Sequence, residues 1–191
     1  MSGIVGSRFN IRGSGVVGKL GTDGQVFTSA GAGTSAVFEA AAGGGGKILQ
    51  VISRATTTTM NNNSTSAVET DNYAVITPSA DTSTILVMMT WRQQDYLASG
   101  ASLASGFQVQ RDIDGGGYSA VFPTAQASLW GWPGVGSQYY YPSISFMDSP
   151  NTTSAVTYKL YVYTQTASAT TYFGYGAANG DYTILQEIDG S

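Results

Sequence analysis

The chain contains no histidine and no cysteine. That excludes a Ser-His-Asp or Cys-His nucleophile, a thiolate zinc site and a disulfide framework. Any catalysis would have to use carboxylates, lysine or tyrosine. Asp112-Ile113-Asp114-Gly115 places carboxylates at i and i+2, the way a calcium loop begins. The later ligands of such a loop are missing. No second carboxyl is marked across a cleft, as a glycosidase would need. The two aspartates therefore read as turn formers. Gly13-Ser14-Gly15-Val16-Val17-Gly18 matches the G-x-G-x-x-G dinucleotide pattern. That site requires an apolar strand before it and a helix after it, so that a pyrophosphate meets a helix N-terminus. Here Arg8, Asn10 and Arg12 precede the motif, and Gly21 and Gly24 follow it. It reads as a flexible glycine-rich anchor. The sequence predicts no catalytic residue, no metal site and no cofactor.

Binding chemistry is better represented. Trp130-Gly131-Trp132-Pro133, followed by Tyr139-Tyr140-Tyr141, concentrates aromatic rings in a glycine-containing loop. Exposed rings stack on sugars or fill a partner's pocket. Trp130, Trp132, Tyr139 and Tyr140 are the candidate receptor contacts, set against packing in a core or between subunits. Asn61 to Ser66 is a polar loop that formally contains Asn-x-Ser/Thr sequons. Met1-Ser-Gly-Ile-Val-Gly lacks the charged and apolar regions of a secretion signal, so export and glycosylation are not expected.

Only 10% of the residues are charged, against about 25% in an average globular protein. Ser, Thr, Asn, Gln and Gly supply the polar surface instead, as in extended extracellular or virion β proteins. The net charge is −4, and the eight Lys and Arg are scattered singly. Nothing is basic enough to neutralise phosphates, so nucleic-acid binding is not expected. No apolar run approaches about 18 residues, so no membrane insertion is expected.

The elements that must position these residues fall into two parts. Thirteen of the 25 glycines lie in residues 1–46, at positions 3, 6, 13, 15, 18, 21, 24, 31, 33 and 43–46. Between them sit short apolar pairs, Ile4-Val5, Val16-Val17, Val26-Phe27 and Val37-Phe38, each enough for a strand of a few residues and none enough for a core. Gly43 to Gly46 reads as a hinge. From Lys47 onward, strand patterns recur. They are expected at Lys47–Thr57, Tyr73–Ile76, Thr84–Arg92, Phe107–Ile113, Tyr118–Phe122, Tyr139–Met147 (broken at Pro142), Ala155–Thr164, Thr171–Tyr175 and Tyr182–Ile188. Thr84 to Arg92 is nearly continuously apolar, which predicts a strand covered on both faces. Asp114-Gly-Gly-Gly between two of the runs predicts a hairpin turn. Ala155 to Thr164 alternates, with Tyr158, Leu160 and Val162 on one face and Lys159, Tyr161 and Tyr163 on the other. No amphipathic helix is found. Eight to ten short strands with turn-separated spacing predict an all-β, antiparallel jelly-roll sandwich over residues 47–191, preceded by an extended glycine-rich arm over residues 1–46. The last strand is expected to be central, so that removing it would prevent folding.

The arm also carries a family pattern. Leu20-Gly-Thr-Asp-Gly-Gln-Val-Phe-Thr-Ser-Ala-Gly-Ala-Gly-Thr-Ser-Ala-Val-Phe-Glu39 resembles a segment that recurs in virion proteins of tailed bacteriophages, especially marine cyanophages. The remainder, above all Asp148 to Tyr158 and Ile184 to Ile188, resembles the C1q- or TNF-like trimeric jelly rolls that end many phage fibres. The cysteines and collagen repeats of animal C1q proteins are absent, so that second likeness is architectural.

The resemblance implies a bacteriophage structural protein located in the virion. Its arm would dock on other virion proteins through Arg8, Phe9, Asn10, Arg12, Asp23 and Gln25, with the two arginines facing a partner's carboxylates. Its head would form a homotrimer, with Tyr161, Tyr163 and Tyr172 as candidate interface residues. The function it implies is a short tail fibre, attached to the tail or baseplate, that contacts a host surface glycan or protein without chemistry. A capsid decoration or head-fibre protein is the alternative. A polysaccharide depolymerase is more remote, because neither paired carboxylates in a groove nor a long β-helix repeat is visible.

Overall fold

The computed structural model describes residues 10–11, 15–16, 25–28, 37–40, 47–97, 103–132, 136–166, 169–174 and 181–190; at 10, 11, 15, 16, 40, 103, 104 and 126–132 it describes the backbone alone. These residues form strands and turns and contain no helix. The chain divides into two units, Met1–Gly44 and Gly45–Ser191.

In the first unit β1 (Asn10–Ile11) pairs antiparallel with β2 (Gly15–Val16), and β3 (Gln25–Thr28) pairs with β4 (Val37–Ala40). The apolar pairs set the second hairpin. Phe27 lies opposite Phe38, with ring centroids 4.9 Å apart. Thr28 Oγ1 donates to the Val37 carbonyl at 3.3 Å. Val26, Phe27 and Val37 nonetheless stay exposed, so the hairpin has no core of its own. A two-stranded ribbon of this size is marginally stable by itself.

The second unit holds twelve strands. In chain order they are β5 (Ile48–Thr56), β6 (Met60–Asn62), β7 (Val68–Ile76), β8 (Thr84–Thr90), β9 (Gln93–Leu97) and β10 (Leu103–Ile113). There follow β11 (Ser119–Trp132), β12 (Gly136–Tyr140), β13 (Ser143–Asp148), β14 (Val156–Thr164), β15 (Ala169–Phe173) and β16 (Asp181–Ile188). Eight of them nest as antiparallel pairs: β5 with β16, β7 with β14, β8 with β13, and β10 with β11. Alternate pairs fall in alternate sheets, ordered β13-β8-β16-β5 and β11-β10-β14-β7. First with last, second with second-last, and so inward: this is the winding of a jelly roll. The remaining four strands form a sheet ordered β12-β9-β15-β6. Each adjoins in the chain the strand holding the same place in β13-β8-β16-β5. The second sheet thus continues the strand order of the first past a break in the hydrogen-bonded ladder.

Alternation decides what goes inside. Ile85, Val87 and Met89 of β8, and Val156, Tyr158, Leu160 and Val162 of β14, are wholly buried between the sheets. Trp91, Phe107, Val109, Phe173 and Leu185 complete the core. Each large apolar side chain removed from water contributes about 1.5–3 kcal/mol. The expected hairpin at Asp114 is present: Asp114, Gly115 and Gly117 have φ of 52°, 76° and 105°. Asp112 accepts from the Gly117 amide at 2.7 Å, so the paired aspartates act as turn formers. The last strand is central, as expected, with β16 hydrogen-bonded to β5 on one side and β8 on the other.

Three expectations are corrected. Trp130 and Trp132 do not lie in a loop; they end the long strand β11, paired with Ser105 and Leu103 of β10. Of the polar stretch Asn61–Ser66, Asn61 and Asn62 belong to a strand, β6, with Asn62 turned inward and donating to the Val162 carbonyl at 2.9 Å, while Asn63–Ser66 form the expected loop. Strand β8 is not covered on both faces, since Leu86 and Met88 remain partly exposed.

Candidate functional site

The outward face of β13-β8-β16-β5 is built from cross-strand rows. One runs Met147, Leu86, Gln186, Val51; the next runs Ser145, Met88, Ile184, Ser53. A third runs Ser143, Thr90, Tyr182, Ala55. None of these positions is charged. Met147 and Val51 are each 53% exposed. A solvated face of an antiparallel sheet is normally polar; this one is apolar through its centre.

The strand order continues in β12-β9-β15-β6 with different chemistry. Tyr139, Gln94, Tyr172 and Asn61 lie opposite one another in one row across the four strands. Ser137, Tyr96 and Thr170 form the next. The Gln94 amide donates to Ser137 Oγ at 2.9 Å, which ties the two rows together on one face. Tyr139 and Tyr96 are exposed.

A buried polar network holds these strands from behind. Trp91 Nε1 donates to Gln93 Oε1 at 2.9 Å. Gln93 Nε2 donates to Asp95 Oδ1 at 2.9 Å and to Ser105 Oγ at 2.6 Å. Ser105 Oγ in turn donates to Asp95 Oδ2. Asp95 and Ser105 are wholly buried. Burial pushes the Asp95 carboxyl above its usual range, against the hydrogen bonds from Ser105 and Gln93. No substrate reaches a carboxylate and hydroxyl sealed in this way, so their work is to position β9 and β10. Tyr140 points to the same interior: burial first, and then the charge of Asp95, raise its phenol.

The outer face of β11-β10-β14-β7 is the charged one. Lys159 pairs with Glu69 at 2.8 Å and sits 5.0 Å and 5.3 Å from the Tyr118 and Tyr73 ring centroids. Arg54 lies 3.9 Å over the Tyr73 ring and pairs with Asp71 at 3.0 Å. Tyr161 meets Tyr118 edge-on, with centroids 5.8 Å apart. Lys159, Glu69, Arg54 and Asp71 thus form two neighbouring pairs.

The structure separates the three tyrosines read as one interface. Tyr161 lies on this charged face, Tyr172 on the tyrosine–amide face of the opposite layer, and Tyr163 is only 2% exposed within its own chain. Tyr163 is already packed away and presents nothing to another copy. Of the receptor candidates, Tyr139 faces outward and Tyr140 inward; the side chains of Trp130 and Trp132 lie outside the described residues. So do Arg8, Phe9, Arg12 and Asp23 of the arm, while Asn10 falls in β1 and Gln25 in β3. Sequence reasoning missed Tyr96, Gln94 and the apolar rows. The missed signal for the rows was the outward set in Thr84–Thr90, which is apolar at its centre, at Leu86 and Met88. Among the described residues no group of acidic side chains is placed to hold a metal ion. Compared with known proteins, the chain matches no family model and no curated sequence.

Proposed function

We propose that this chain is a structural protein of a tailed-bacteriophage virion: a homotrimeric short fibre whose N-terminal arm docks on the tail or baseplate and whose β domain contacts the host surface. It acts by binding, without chemistry. The observation that carries the self-assembly part is the uncharged apolar face of β13-β8-β16-β5. Monomeric proteins rarely leave such a face open on central strands, and homomeric interfaces are the more apolar class. An identical copy needs no charge to match an uncharged face. Leu86, Met88 and Ile184 therefore replace Tyr161, Tyr163 and Tyr172 as the contacts between copies. Three-fold symmetry and the virion setting rest on the likeness of the arm to phage structural proteins and of the head to C1q/TNF-like jelly rolls.

Two measurements test this. Sedimentation should give a trimer for the full chain. Met88→Lys should give a folded monomer, because the symmetry places three buried ammonium groups together. A Met88→Lys protein that keeps the wild-type mass removes this face from the assembly. Gold-antibody labelling of phage particles should mark the tail end. Label over the head would favour a capsid decoration protein. Intact particles without any label would count against the virion reading.

A further inference from the structure

The tyrosine–amide half of this pair of sheets does not share the composition of the apolar half. Across the bends at Trp91–Arg92 and Tyr141–Pro142, the outward rows lose Leu86, Met88, Ile184, Met147 and Val51 and keep only tyrosine, amide and hydroxyl side chains. We infer that this half, centred on the exposed Tyr139 and Tyr96 with Tyr172 beside them and the mostly buried Gln94 beneath, is a binding face for a neutral polysaccharide. The inference gives a ligand class to the host-contacting part of the proposed function and rests on that reading only for its biological setting.

Three properties of the face support it. Strand spacing of about 4.8 Å places Tyr139 and Tyr172, two strands apart, with their backbones about 10 Å from each other on one face. Tyr96 stands one row further along β9, so the rings form a triangle around Gln94. Phenol rings present an electron-rich face and a polar tip, which suits the C–H face and the hydroxyl rim of a pyranose. The groups between the rings are amides and hydroxyls, which donate and accept at once. Sugar hydroxyls do the same, and carboxylates and ammonium groups do not. Finally, none of the outward positions in the two rows carries a charge. The cation at the bend, Arg92, is 19% exposed and already pairs with Asp181 at 3.9 Å, and the acid behind the face, Asp95, is sealed from solvent. Among the described residues the two rows therefore favour a neutral ligand.

Tyr139 is 57% exposed, so truncating it removes a ring without opening the core. The test uses the full-length protein against an immobilised panel of glucose-, galactose- and mannose-containing oligosaccharides, with uronate-containing and sialylated ones beside them. The expected result is retention of one or more neutral oligosaccharides, weakened at least tenfold by Tyr139→Ala and by Tyr172→Ala. Tyr139→Phe and Tyr139→Trp, which keep a ring, should hold most of the binding. The sedimentation mass should stay unchanged in all four variants. The inference is overturned if no neutral sugar binds, if only anionic sugars bind, or if Tyr139→Ala binds like wild type. It is also overturned if Tyr139→Ala or Tyr172→Ala lowers the oligomeric mass, which would make this half an interface between copies. Gold labelling on the head, by contrast, would sink the tail-fibre reading and leave sugar binding standing.

Discussion

Glu187 is wholly buried and stays ionised. Burial alone would raise its carboxyl, but four donors more than offset it. Its Oε1 accepts from the Ser79 amide and hydroxyl, both at 2.6 Å, and from Ser83 Oγ at 2.7 Å. Its Oε2 accepts from Gln50 Nε2 at 2.6 Å. The carboxyl is held down to about 2. A depressed acid contributes stability above its unfolded value of 4.5 and loses it as pH falls toward about 2. At about 1.4 kcal/mol per pH unit, the contribution is on the order of 3 kcal/mol. Glu187→Gln should therefore destabilise the protein by about 1–3 kcal/mol at neutral pH and flatten acid denaturation across that window, read by circular dichroism. Asp95 works with the opposite sign. Its raised carboxyl costs stability above the unfolded value of 3.8 and returns it on acidification. Asp95→Asn should be neutral or stabilising at pH 7, with Ser105 still able to hydrogen-bond the amide; a large loss there would show that the charge itself is needed. Gly174 has φ of 66°, and a Cβ there would run into the Thr58 carbonyl oxygen. Gly174→Ala should cost at least about 2 kcal/mol in a denaturant titration.

At the scale of elements, β14 was the most legible strand, because Tyr158, Leu160 and Val162 alternate with Lys159 and Tyr161 and one set is apolar. β16 was legible too, and its central place gives Leu185→Ala an expected loss of about 2–5 kcal/mol. β8 was legible as a strand but not in its surroundings. A run apolar on both faces predicts that both are covered, yet within this chain Leu86 and Met88 stay partly exposed. β9 and β6 were illegible, since Gln93, Asp95 and Asn62 go inward as polar groups, satisfied by one another and Ser105 in the first case and by the remote Val162 carbonyl in the second. The tyrosine–amide face was hidden for a related reason. Tyr139 and Tyr172 drew notice separately, for different roles. Only the pairing of β12, β9 and β15 aligns them with Gln94 in one row, and strand register is not written in either segment alone.

At the scale of the molecule, the second unit shows three surfaces with three chemistries. One is apolar and uncharged, one is tyrosine and amide, and one carries Lys159, Glu69, Arg54 and Asp71 in neighbouring pairs. The paired charges make the third surface a poor place for a partner, because each group already has its counterion. Tyr161→Asp, on that surface, should leave the oligomeric mass unchanged while Met88→Lys changes it. The reverse result would exchange the two faces.

The nested winding also sets a clock. The innermost turn of the coil is local: Ser119 reaches back to Arg111, 8 residues away. The outermost is remote: Gln50 and Glu187 are 137 residues apart and share a hydrogen bond. A chain leaving the ribosome can close the first contact early, but its first long strand waits, unpaired at an edge, until the last strand is made. Long-range pairing of this kind places folding in the millisecond-to-second range. During that wait the exposed edge and the apolar rows beside it are open to other chains, so many ribosomes working on one message would bring copies together while each is still incomplete.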